Sequence, residues 1–357
     1  MTKTVLNNQR GRYTNRPKLF FYHYKMTDYK ELFGHIGEYR SALMGLSMII
    51  VFLFHAPSRK LGFMPTGLWG TVCKNGNLGV DIFLFLSAFG LCFSLKKNTI
   101  KRFYFNRFRR IIPTWWVVLF FIHTIGIFAG SKFDSLVYPH STVDMFYWYT
   151  GLGYFFNTCC YEWYIPTLLL FYFLIPAVYR LLRNQVLFII LLSIPLILLY
   201  EGSGVLPYLS ISISRIPVFL LGVLFYKDLE QNKYNLFLIT CITLCIYIFA
   251  FSFFLKVPDV IQAAPLLPII IGLLSYILSF QYIRCFEVFL TFVGTISLEF
   301  YLIHLYRRPQ FLLSHIMKDN VMLILGAFIL CLVLSYLLHK FINKLNEKFL
   351  SRIVYHT

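Results

Sequence analysis

The sequence predicts an all-α, polytopic transmembrane helix bundle, and three observations carry that prediction. Hydrophobic residues fill 58% of the 357 positions and only 13% are charged, about half the charged share of an ordinary soluble domain. The apolar residues come in blocks of roughly twenty, the length that carries a helix across about 30 Å of hydrocarbon at 1.5 Å per residue. Inside lipid every backbone N–H and C=O has to be satisfied within the structure, so such blocks are helices. The short alternating strands of a transmembrane barrel do not occur.

Residues 1–40 are polar and basic and read as a cytoplasmic arm rather than a signal peptide. Apolar blocks then follow at 41–56, 78–95, 111–130, 163–179, 186–200, 208–226, 236–254, 265–283, 288–306 and 321–341, which makes about ten spans. No internal repeat or low-complexity linker divides them, so 41–343 reads as one membrane domain and 344–357 as a cytoplasmic tail. With the N-terminus inside, 24 of the 33 Lys and Arg fall on the inner side and 8 on the outer, with Arg215 left within a span. This bias places both termini in the cytoplasm and explains the net charge of +18 by orientation rather than by nucleic-acid binding. The longest outer segment, 131–162, is rich in Phe, Tyr and Trp, residues that favour the membrane interface.

The eight cysteines have no metal-ligand spacing. Cys241 and Cys245 read as packing residues, while Cys73, Cys159 and Cys160 fall on the outer side, where a disulfide is chemically permitted.

Ionisable side chains within a membrane are costly and therefore candidates for function. His55 closes the first span, Asp81 opens the second, Glu162 precedes the fourth, Arg215 lies in the sixth, and Glu299 and His304 lie in the ninth. Most of them group toward the outer face. Ser297, Tyr301 and His304 share one helical face at i, i+4 and i+7; Glu299 points elsewhere, toward Arg215 or another helix. For each, an interhelical hydrogen bond is the plain structural alternative. His55 stands out because an imidazole takes and returns a proton near neutrality.

The segment 96–110 carries seven cations, including Arg102, Arg107, Arg109 and Arg110, and no acid. Guanidinium groups pair with phosphate oxygens in a bidentate fork, and the last three press against the following span. The structural alternative is a topology determinant drawn to anionic headgroups.

These segments resemble the bacterial integral-membrane acyltransferases of acyltransferase family 3. The first-helix stretch Gly45 to His55 and the stretch Gly79-Val80-Asp81-Ile82-Phe83 through Gly90 are similar to the family's opening helices. Arg107-Phe108-Arg109-Arg110 through Pro113 and Trp116 follows, then Trp163-Tyr164 with Phe171-Tyr172 and Pro176. Arg215-Ile216-Pro217 through Gly222 and Ser297 through His304 complete the series, in family order, over residues 40–306. Two positions depart from the pattern. The arginine that precedes the first-helix histidine in the family is replaced by Met44, with Arg40 one turn earlier on the same face and about 22 Å along the helix from His55. Leu168 stands where many members have glutamate, and Glu162 is out of register with it.

The resemblance implies an O-acyltransferase, with acetyl the usual group, that uses cytoplasmic acetyl-CoA as co-substrate and a hydroxyl of an extracytoplasmic or lipid-linked glycan as acceptor. It implies a multi-pass location in the bacterial cytoplasmic membrane. No tightly bound cofactor and no metal are expected. The expected partners are acyl-CoA, a cell-surface polysaccharide or lipid-linked glycan, and the bilayer; a homo-oligomer is compatible with this and nucleic acid is not expected. In that scheme Arg40, Arg102, Arg107, Arg109 and Arg110 hold the donor's phosphates. His55 is general base or transient acyl carrier, with Asp81 orienting it and His304 beside it. Arg215 or Tyr301 steadies the oxyanion, and Ser297 and Trp163 join them around the acceptor. A transporter or glycan flippase or polymerase would also use intramembrane His, Asp, Glu and Arg, although the inverted repeat of many transporters is missing.

Overall fold

The computed structural model describes residues 29–55, 67–129, 141–156, 162–182, 209–230, 264–305 and 320–354, together with positions 139, 190, 191 and 194. Every regular element among them is helical. The expected spans 236–254 and most of 186–200 lie outside the described residues. So do most of the N-terminal arm, Cys159, Cys160, Cys241 and Cys245; Cys73 is a buried thiol.

Helix α1 (Tyr29–His55) and the short α2 (Gly67–Lys74) lead into α3 (Leu78–Lys97). Only Asn98 and Thr99 separate α3 from α4 (Ile100–Ala129). The Asn98 side chain donates to the Ser94 carbonyl and ends α3, while Thr99 Oγ1 accepts from the Arg102 amide and starts α4, an N-cap of the usual kind. The expected cationic loop 96–110 is therefore mostly helix, and its arginines are distributed around the first three turns of α4. Two short helices, α5 (Thr142–Thr150) and α6 (Leu152–Phe155), precede α7 (Tyr164–Leu181) and α8 (Ser210–Glu230). They carry the aromatic segment expected at the interface, and bury Trp148 and Tyr154.

The largest departure lies in the expected eighth and ninth spans. The chain forms α9 (Leu267–Leu278), bends by 85° through a 3₁₀ turn, and continues as α10 (Arg284–Thr295). It breaks again at Ile296 before α11 (Ser297–Leu305). Neither segment is a straight crossing. Ser279 Oγ returns to the Tyr276 carbonyl at the first bend, and Arg110 Nη2 donates to the Thr295 carbonyl at the second. Helix α12 (Asn320–Val354) runs without interruption through the expected boundary between last span and tail.

Six helices are long and apolar enough to cross a membrane among the described residues, or up to seven if the bent pair counts as one span. The chain is a multi-pass membrane protein. Trp116, Phe120 and Phe121 on α4, and Met322, Leu325, Ile329, Val333 and Leu337 on α12, face outward. Such a surface is that of a bundle dissolved in lipid.

Close backbone approach sets the centre. A Cβ on Gly45 of α1 would stand 1.9 Å from the Leu290 carbonyl oxygen of α10, and one on Gly294 would stand 1.9 Å from that of Ser41. Small residues permit this contact, as in other helix pairs packed within membranes. Helix α3 lies on the other side of α1 and against α8, with Leu84, Phe85, Leu86 and Ala88 fully buried.

Candidate active site

The C-terminal ends of α1 and α11 bring two imidazoles together. His55 Nδ1 lies 3.1 Å from His304 Nε2, and His304 Nδ1 lies 2.9 Å from the Phe300 carbonyl oxygen. A carbonyl only accepts, so His304 Nδ1 carries its proton. With both rings neutral, His304 Nε2 is then the acceptor, His55 Nδ1 the donor, and the lone pair of His55 resides on Nε2. Phe52 and Phe300 pack beside His304, which is buried, whereas His55 is half-buried.

His55 opens into a cavity of about 390 Å³ that is also lined by Asn77, Trp163, Ser214, Arg215 and Tyr301. Asp81, expected to orient His55, is committed instead to Arg215. Arg215 Nη1 lies 2.7 Å from both carboxylate oxygens of Asp81, and both side chains are almost fully buried. Two opposite charges desolvated side by side hold one another more strongly than either would hold a neutral ring. Arg215 also stands 5.9 Å over the Trp163 ring. Among the described residues the His55 ring pairs with His304.

A second cavity, of about 220 Å³, runs beside α1 toward the cationic end. Arg40, Met44, Met48 and Val51 line it from α1, at spacings that keep them on the helical face that continues to His55. Arg107 and Arg110 enter from α4, Tyr164, Leu168 and Tyr172 from α7, and Ser297 and Tyr301 from α11. Tyr301 and Val80 line both cavities. The Tyr301 ring packs 4.7 Å from that of Tyr164 and 5.7 Å from that of His304.

The expected phosphate cluster divides on the helical face. Arg107 and Arg110 are three residues apart and turn inward. Arg102 is exposed, Arg109 extends over the Phe105 ring at 5.7 Å, and neither lines the cavity. Arg40 Nε donates to the Leu86 carbonyl at 2.9 Å, Arg107 Nη2 donates to Ser94 Oγ at 3.2 Å, and Tyr172 sits among Arg107, Arg40 and Arg110. Arg110 is the most restrained of these. Its guanidinium contacts both oxygens of Glu299, at 3.2 and 3.4 Å, and the Thr295 carbonyl at 3.0 Å. Glu299 is fully buried and also receives His339 Nδ1 of α12 at 2.9 Å, with Asn343 Nδ2 2.9 Å from His339 Nε2. Glu299 therefore pairs with α4 and α12, and Arg215 with Asp81.

Sequence reasoning missed His339 and gave no site role to Tyr164 and Val80, although both stand in stretches that carry the family resemblance. His339 had a visible signal, an ionisable residue near the end of an apolar block. Nothing singled out Val80 within its stretch, because only packing distinguishes it from its apolar neighbours.

The arrangement defines a class: a membrane bundle with two cavities meeting at one wall, guanidinium groups in one and a paired imidazole in the other. The acyltransferase family 3 model, described as an acyltransferase domain, matches residues 42–340. The chain belongs to that family. No curated protein and no solved structure matches it.

Proposed function

We propose that this chain is a membrane O-acyltransferase that moves an acetyl group from cytoplasmic acetyl-CoA to a hydroxyl of an extracytoplasmic or lipid-linked glycan, in a bacterial cytoplasmic membrane. The observation that carries this reading is the meeting of the arginine-lined cavity and the His55 cavity at Tyr301 and Val80. Such a layout suits two substrates approaching from opposite sides.

The donor's phosphates rest near Arg40 and Arg107, with Arg110 fixed beside them. Its thioester arm follows the face of α1 past Met44, Met48 and Val51. The acceptor lies against Trp163 in the outer cavity, within reach of His55. The hydroxyl oxygen attacks the thioester carbonyl carbon as His55 Nε2 takes the hydroxyl proton. The carbon–oxygen bond forms, the carbon–sulfur bond breaks, and the proton passes from His55 to the departing sulfur, leaving free thiol. His304 keeps the lone pair of His55 on Nε2 and accepts from its Nδ1 as the imidazolium forms. The Tyr301 hydroxyl donates to the developing oxyanion, and the Asp81–Arg215 pair shapes the acceptor side.

The test is transfer of labelled acetyl from acetyl-CoA in membranes of the native host, which supply the acceptor. Wild type is expected to label glycan, and His55→Ala to lose about 10²–10⁴-fold in rate with unchanged yield of folded protein. Full activity in His55→Ala would remove His55 from the reaction. Absence of label in wild type would reject the acyl-transfer reading itself.

A further inference from the structure

The two side chains common to both cavities, Val80 of α3 and Tyr301 of α11, form a wall whose position is unusually fixed. Gly79, next to Val80, lies so close to α1 that a Cβ there would stand 2.6 Å from the Ser47 carbonyl oxygen. On the far side of α3, a Cβ on Gly222 of α8 would stand 2.6 Å from the Phe85 carbonyl oxygen. Helix α3 is thus held between two backbones and has no direction in which to retreat. Tyr301 is held by the Tyr164 ring on one side and by the His304 ring on the other. Neither edge of the gap yields without moving a packed helix, so its width is set by the two side chains themselves.

We propose that Val80 and Tyr301 form a septum between donor and acceptor cavities, and that the gap between them selects a short acyl group. The inference rests on the acyl-transfer reading above and adds to it a determinant of donor specificity. For the acceptor oxygen on the His55 side to meet the thioester carbonyl carbon, that carbon has to sit at the septum. The donor arm then fills the arginine-lined side and the acceptor fills the other, so the alkyl tail lies in the gap. Val80 contributes shape alone; the bonds made and broken are those already described.

An apolar site discriminates one methylene by about tenfold or more, which gives the expected scale of the effect. Transfer is measured from acetyl-, propionyl- and butyryl-CoA, each labelled in the acyl group, in native-host membranes bearing wild type, Val80→Ala, Val80→Ile or Val223→Ala. Wild type should prefer acetyl. Val80→Ala should raise the butyryl-to-acetyl ratio about tenfold, and Val80→Ile should lower the propionyl-to-acetyl ratio. Val223→Ala makes the same truncation at a fully buried position of α8 that lines neither cavity and should keep the wild-type ratio. The ratio is internal to each preparation and does not depend on how much protein folds, and Val80→Ile tests the septum without creating a void. Unchanged ratios in both Val80 variants, alongside acetyl transfer, would overturn the septum. An equal shift in Val223→Ala would overturn it too, since general loosening would then explain the change. If wild type transfers no acyl group from any donor, the reading beneath it fails instead.

Discussion

His55 and His304, 249 positions apart in sequence, face one another with Nδ1 of the first 3.1 Å from Nε2 of the second. The chain continues to the Phe300 carbonyl, 2.9 Å from His304 Nδ1. That carbonyl fixes the direction of the whole array, because it has no proton to give. In the proposed reaction a histidine takes the place that a carboxylate holds in many catalytic sites, without a negative charge beside His55.

In the proposed reaction His304 is a positioning residue, and that role depends on one accepting atom. His304→Ala should lower the rate about tenfold, the equivalent of one net hydrogen bond of about 1.4 kcal/mol. His304→Gln presents a carbonyl oxygen near the position of Nε2 and should recover part of the loss. Initial rates with saturating donor check both; equal losses in the two variants would mean that packing, rather than the accepting atom, is what matters.

The Asp81–Arg215 pair predicts a different signature. Both side chains are almost fully buried, so removing one leaves the other charged and uncompensated, a change that costs about 3–5 kcal/mol. Asp81→Ala and Arg215→Ala should each lower the melting temperature in detergent. Asp81→Asn combined with Arg215→Gln should restore most of it, because no net charge remains buried. If Asp81 instead oriented His55, Asp81→Asn would reduce the rate while leaving the melting temperature unchanged.

Much of this was legible in the sequence, and the illegible parts share a cause. Composition and block length were sufficient for the helices, since lipid leaves the backbone little other choice. His55 was legible because an ionisable group in an apolar block is costly. Pairings were not legible. Asp81 was expected to orient His55 because a carboxylate is the usual partner of a catalytic histidine, but residue type does not specify which helices touch, and Asp81 pairs with Arg215. The segment 288–306 is as apolar as a straight span; its break at Ile296 reflects Gly45–Gly294 packing and the Arg110 contact with Thr295, both long-range in sequence. Arg102, Arg107, Arg109 and Arg110 read as one cluster until the helical register of α4 divides them.

That division is testable. Arg40→Ala and Arg107→Ala should raise the apparent KM for acyl-CoA about tenfold to a hundredfold, the scale of a charged hydrogen bond worth 1.5–3 kcal/mol. Arg102→Ala and Arg109→Ala should stay close to wild type, because neither side chain lines the cavity. A comparable rise in KM for Arg109→Ala would place the phosphates on the outer face of α4.

Arg110 should behave unlike Arg40 despite lining the same cavity. Its guanidinium holds Glu299, which is fully buried and also bonded to His339. Arg110→Ala should therefore destabilise the protein by about 1–3 kcal/mol, the scale of a buried charged group losing one partner, with Arg110 itself 39% exposed and His339 still bonded to Glu299. Arg110→Ala with Glu299→Gln should recover stability. A KM effect with no change in melting temperature would return Arg110 to the phosphate-binding set.

The contact between Gly45 and Gly294 offers the sharpest test of the fold, because the site depends on it. Helix α10 leads directly into α11, which carries Ser297, Tyr301 and His304, and α1 carries Arg40 and His55. A methyl at Gly45 meets the Leu290 carbonyl at 1.9 Å, and the atom in its way is backbone rather than a mobile side chain. Gly45→Ala and Gly294→Ala should each cost about 1–3 kcal/mol, the usual scale of overpacking. They should also reduce transfer beyond what the loss of folded protein explains, since pushing α10 from α1 carries His304 away from His55. Gly37, on the exposed part of the same α1 helix, has nothing within 4 Å of the site of an added Cβ. Gly37→Ala should instead gain about 0.5–1 kcal/mol from the helix preference for alanine, with transfer unchanged. Melting temperatures in detergent, read beside specific activity per folded molecule, separate the two outcomes; stable and fully active Gly45→Ala protein would mean that α1 and α10 do not pack this closely.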